Sequence, residues 1–184
     1  MNCLNIDRIA PSDRSLYAGD EDFRKLFARD VKSLYLLSFL LTASHGKAER
    51  CFLVGLDECL SGLPVFQKWA DSWARRAIVR CAVRMMAPHA DSARLAPDTF
   101  HSTHAGGVPG TALNDARFAR VLALEDFERF VYVLSVLEGY PDQSCAIFLQ
   151  TSQQEVVEAR VRALEHTADF DKRNCGDGLF SSRG

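Results

Sequence analysis

Between Ala87 and Asn114 the chain loses all amphipathic periodicity. Pro88, Pro97, Gly106, Gly107, Pro109 and Gly110 stand there among small and polar residues. Proline removes a backbone donor and clashes within a helix, and glycine weakens one. A structureless stretch of roughly thirty residues is too long for a loop inside one compact domain. On both sides of it apolar residues recur at three- and four-residue steps, the period of a helix. The expected fold is therefore all-α, with two small helical modules joined by a flexible linker. A chain of 184 residues, 47% of them hydrophobic, can bury two modest cores.

The expected boundaries follow. Residues 1–19 form an N-terminal arm, 20–87 a three-helix bundle, 88–114 the linker, 115–168 a second helical module and 169–184 a disordered tail. In the bundle a first helix is expected from Asp22 to Thr42, capped by Asp20 or Asp22. A second runs from Lys47 to Leu60, closed by Gly62 in the left-handed conformation. A third runs from Val65 to Met86, with Pro64 in its first turn and Pro88 as its stop. In the second module a helix from Leu124 to Glu138 is followed by Asp142 to Leu149 and Ser152 to Thr167.

The formal net charge is −2, so any nucleic-acid binding must come from local patches. The best of these is on the third helix. Arg76, Arg80 and Arg84 stand at i, i+4 and i+8 with Arg75 beside them, a cationic stripe that suits phosphates or simply a solvated face. Trp69 and Trp73 share that helix. Their spacing with Phe66 and Ala77 fits a core stripe; exposed, they would stack a flipped base.

The last two segments carry the spacing of a helix-turn-helix. Small Ala146 lies midway along the first helix, Gln150 holds the sharp turn, and apolar Val156 opens the second. Cys145, Leu149 and Val157 or Ala159 complete a small core. Ser152 and Glu155 make a capping box. Gln153 and Gln154 sit at the helix start, where base edges are met, and glutamine suits adenine. Arg160 and Arg162 lie where phosphate contacts are made. A helical hairpin that serves only packing has the same spacing.

These segments resemble the two conserved regions of sigma factors, in the extracytoplasmic-function group of the sigma-70 family. Leu124, Arg129 and Leu134 match the opening of region four, and Glu138 to Ala146 its turn into the reading unit. Val156 to Leu164 resembles its recognition helix. Leu34 to Thr42 resembles the first helix of region two, Ala48 and Glu49 the start of the polymerase-gripping helix, and Trp69 to Met86 the promoter-melting helix. The resemblance implies a transcription initiation factor in the bacterial cytoplasm. Its partners would be RNA polymerase core, double-stranded promoter DNA and an anti-sigma protein.

Two departures stand out. Next to Glu49 the polymerase face carries Arg50, Leu53 and Val54 in place of the family's polar and acidic groups. In the recognition helix Glu155, Glu158 and Glu165 outnumber Arg160 and Arg162, and carboxylates near phosphate oppose binding. Two alternatives stay open. One is a sigma-derived protein-interaction module without promoter recognition, with Leu53 and Val54 as an apolar patch. The other is a stand-alone helix-turn-helix regulator.

No nucleophile elbow, phosphate loop or dinucleotide fingerprint is present, so neither an enzyme nor a cofactor is expected. His101 and His104, with His89 nearby, lack the ligands that a metal site needs. The N-terminus has no apolar signal segment, and no run is long enough for a membrane span. The six cysteines form no C-x-x-C pair; reduced thiols are expected.

Overall fold

The computed structural model describes residues 16–88 and 116–176. The expected arm up to residue 15, the linker beyond Pro88, the three histidines within it and the tail beyond Gly176 lie outside the described residues. The chain divides into two compact units, one ending at Met85 and one beginning at Met86. Both are helical, as the periodicity predicts.

The first unit opens with β1 (Tyr17–Ala18), α1 (Asp20–Arg29) and α2 (Val31–Thr42). The sequence predicts one helix here; the structure breaks it at Asp30, whose φ and ψ are −102° and 18°. Arg29 bridges the break. Its guanidinium donates to Asp30 Oδ2 at 2.7 Å and reaches Asp71 Oδ1, on another helix, at 2.6 Å. That hydrogen bond from Arg29 also holds the Asp30 carboxyl below its ordinary range. The break lets α1, through Phe23, Leu26 and Phe27, and α2, through Leu34, Leu37 and Leu41, both lie against α3. The cap of α1 also differs from expectation. Gly19 is the N-cap, and its N–H donates to the Asp22 carboxylate at 2.9 Å.

α3 (His45–Ser61) buries Ala48, Cys51, Gly55 and Cys59. A Cβ on Gly55 would stand 2.9 Å from Ile78 Cγ1, so only glycine lets α3 and the following helix meet there. Gly62 ends α3 in extended geometry (φ −82°) rather than the left-handed turn expected of it. Its missing side chain is still required, because a Cβ would lie 2.7 Å from the Glu58 carbonyl.

The third predicted helix starts later than expected. Val65–Phe66 form β2, antiparallel to β1, with Tyr17 opposite Phe66 and Ala18 opposite Val65. A 3-10 turn (Gln67–Trp69) leads into α4 (Ala70–Met86). Pro64 therefore precedes a strand, not a helix. Strand pairing uses the backbone of Val65 and Phe66 that a helix would have claimed. Ala70, Ala74, Ala77, Ile78 and Cys81 form the buried stripe of α4.

The second unit contains α5 (Ala116–Leu122), α6 (Asp126–Tyr132), α7 (Asp142–Leu149) and α8 (Gln153–Gly176). α6 continues into a π-helical turn (Val133–Leu137), in which the Glu138 N–H donates to the Val133 carbonyl at 2.9 Å. Phe127, Phe130, Val131, Leu134, Leu149, Val156, Ala159 and Ala163 make the core. Arg129 is buried too. It donates to the Leu124 carbonyl at 3.0 Å and to Asp126 at 2.5 Å, tying down the start of α6. Glu128 is also buried. α8 runs to Gly176 instead of ending at Thr167. No glycine or proline occurs between Ser152 and Gly176 to interrupt it earlier.

Cys51, Cys59, Cys81 and Cys145 are buried free thiols. Burial pushes Cys59 up to about 12 and Cys145 up to about 11, so both stay protonated near neutrality. Among the described residues no helix is long and apolar enough to cross a membrane.

Candidate nucleic-acid and partner interfaces

In the first unit the turn before α4 builds an open groove of about 530 Å³. Its walls are Leu63, Pro64, Val65, Phe66, Trp69, Ser72, Trp73 and Arg76. Tyr17 stacks on Phe66 with centroids 4.6 Å apart, and Phe66 meets Trp69 edge-on at 5.2 Å. The short β1–β2 pairing thus fixes the aromatic floor. Trp69 is 53% exposed and is not part of the core stripe that its spacing suggested. The 3-10 turn rotates it outward, and alanines take the buried positions instead. The Lys68 ammonium lies 5.0 Å from its ring centroid. Trp73 is half-buried, with the Arg80 guanidinium 4.9 Å from its ring. Its indole N–H is buried and has no acceptor among the described residues.

The four arginines of α4 part company. Arg76 is exposed on the rim of the groove. Arg75 donates to the Ser33 hydroxyl at 2.8 Å. Arg80 and Arg84 converge on one carboxylate, Glu58 of α3, at 2.8 and 2.7 Å. One carboxylate is thereby shared by two of the stripe's arginines, and the trio stays net positive. Chemically, the groove offers a planar apolar shelf with cations at its edge, a combination that stacks an aromatic ring and attracts phosphate. On α3, Glu49, Arg50, Leu53 and Val54 are all exposed, Leu53 at 56%.

In the second unit α7 and α8 meet at a turn built as the sequence predicts. Gln150 takes the left-handed conformation (φ 54°, ψ 44°). Ser152 Oγ accepts from the Glu155 N–H at 3.2 Å, and the Ser152 N–H donates to Glu155 Oε2 at 2.9 Å, a reciprocal capping box. Thr151 donates to the same carboxylate. Ala146 and Val156 are both buried, and Ala159, not Val157, joins them.

The polar residues of α8 are distributed differently from the reading above. Gln153 and Gln154 are exposed at its start, Gln154 donating to Glu158 at 3.0 Å. Arg160 and Arg162 turn back on their own unit. Arg160 pairs with Asp142 at the start of α7. Arg162 donates to the buried Glu128 of α6 at 2.8 Å, and His166 lies 3.0 Å from the other oxygen of that carboxylate. Neither arginine is free to reach a duplex without giving up an internal ion pair. The sequence reading missed Glu128, although Leu124, Glu128 and Val131 follow helical steps and put it on the buried stripe.

No family model and no curated protein matches this chain. Among solved structures, the sigma factor RpoE from Bartonella quintana, crystallised in complex with the anti-sigma factor NepR, is similar at 16% identity with a TM-score of 0.48. The match covers 83% of this chain and 98% of that one. A likeness this weak bears on neither family nor function.

Proposed function

We propose that the protein is a sigma-like transcription initiation factor that associates with RNA polymerase core and engages promoter DNA through its first unit. The observation that carries this reading is the exposed Trp69 over an aromatic groove, rimmed by Lys68 and Arg76. A melted promoter strand presents unstacked bases and phosphates, and the groove answers both. The motif resemblance on α2, α3 and α4 supports it, as does the capped turn between α7 and α8, which has the build of a helix-turn-helix. Exposed Glu49, Arg50, Leu53 and Val54 are the polymerase face in this reading. Trp69→Ala should lower open-complex formation by core polymerase roughly tenfold or more, since stacking contributes about 1–3 kcal/mol per base. Initiation unchanged in that variant, on a promoter the wild type opens, would remove the reading.

A second reading is a sigma-derived protein-interaction module without promoter recognition. The internal pairing of Arg160 and Arg162 favours it, because it engages these two cations of α8 with carboxylates of their own unit. Transcription from a promoter library with core polymerase separates the two. Specific initiation supports the first, and core binding without initiation the second.

A further inference from the structure

The outward face of α8 carries a row of aliphatic side chains. Val157, Val161 and Leu164 are 38%, 49% and 45% exposed, in a unit whose other side of the same helix is fully packed. They stand at steps of four and three residues, with exposed Ala168 four further on. At about 100° per residue this makes one continuous apolar stripe along three turns. Glu158 and Glu165, both exposed, are seven residues apart and line one edge of it. Arg160 and Arg162, the nearest cations among the described residues, are held by Asp142 and Glu128.

Three occupants can be weighed on charge and chemistry. Duplex DNA would bring phosphates against Glu158 and Glu165 and would gain little from bare valine and leucine. A second copy packed stripe to stripe with the helices antiparallel would set carboxylate against carboxylate. A helix with its own apolar stripe and a lysine- or arginine-rich flank satisfies both the valine–leucine row and the acidic edge. We infer that the Val157–Val161–Leu164 stripe of α8 docks a basic amphipathic helix of a partner protein. This rests on the second reading above and names its surface. It is independent of the groove in the first unit.

The test uses the full chain and a labelled synthetic helical peptide carrying leucine on one face and lysine on its flanks. A scrambled peptide of the same composition and a random-sequence DNA duplex serve as competitors. Fluorescence anisotropy should show saturable binding of the patterned peptide and not of the scrambled one. Val161→Asp, at a half-exposed site, should weaken binding roughly tenfold. The double variant Glu158→Lys, Glu165→Lys alters only exposed side chains. It should weaken binding roughly fivefold and flatten its salt dependence. Equal binding of the scrambled peptide, or binding indifferent to both variants, overturns the inference. So does a dimer in sedimentation that Val161→Asp dissolves, which would make a second copy the occupant, and so does competition by the duplex. If the peptide fails while polymerase core is still captured without initiation, the stripe is wrong and the second reading stands. If core capture also fails, both fall.

Discussion

The arginines of α4 in the first unit and of α8 in the second are directed differently. On α4, Arg76 faces outward at the rim of a groove, while Arg80 and Arg84 share Glu58. On α8, Arg160 pairs with Asp142 and Arg162 with Glu128. The first unit therefore retains outward positive charge beside an exposed indole. The second presents aliphatic side chains and glutamates. Helix position alone does not decide whether an arginine can meet phosphate. The carboxylates on neighbouring elements decide it.

The largest test of this contrast asks whether the units are separate stability elements. Phe130 is fully buried in the second unit, so Phe130→Ala should cost about 3–5 kcal/mol there. Both tryptophans lie in the first unit, so their fluorescence reports on it alone. The far-UV circular dichroism transition should split, one part falling steeply, while the fluorescence transition stays put. Coincident shifts would mean that the units melt as one.

A smaller effect comes from unpairing the arginines. Glu128→Gln leaves the shape but removes the buried charge that Arg162 and His166 face. Charged hydrogen bonds contribute about 1.5–3 kcal/mol, reduced here because Arg162 is partly solvated. Glu58→Gln should destabilise the first unit by about 1 kcal/mol and release Arg80 and Arg84. Affinity for single-stranded DNA should then rise several-fold, with a steeper salt dependence. The contrast sharpens if Glu58→Gln alone raises it. It breaks if Glu128→Gln raises it equally.

The smallest expected effect lies at the turn. Gln150 occupies a left-handed conformation that costs a residue with a Cβ about 1–2 kcal/mol. Gln150→Gly regains that but adds unfolded-state entropy, so a net stabilisation of about 0.5 kcal/mol is expected, read as a small rise in the second unit's thermal midpoint. A loss would show that the glutamine side chain contributes something that its exposure does not reveal.

The turn was legible in the sequence because its chemistry is local. Gln150, Ser152 and Glu155 act within a few residues of one another, and Ala146 and Val156 are fixed by helical period. The same holds for the all-α fold and for most helix cores. What escaped was set by distant partners. At the break, Arg29 pairs with Asp71, 42 residues on. The inward turn of Arg160 and Arg162 depends on carboxylates 18 and 34 residues away. Exposure of Trp69 depends on β1 pairing with β2, which no helical pattern announces.

The π-helical turn at Val133–Leu137 has a consequence for counting. Such a turn closes its hydrogen bond one residue later than an α-helix does, so it acts as a single-residue insertion that leaves the helix intact. Every side chain beyond it is rotated by about 100° relative to an uninterrupted α-helix. Deleting one residue there would restore ordinary winding and swing the Gly139–Pro141 elbow, with α7 and α8 behind it, around the axis of α6. The bearing of α7 and α8 on their support is therefore set by one surplus residue.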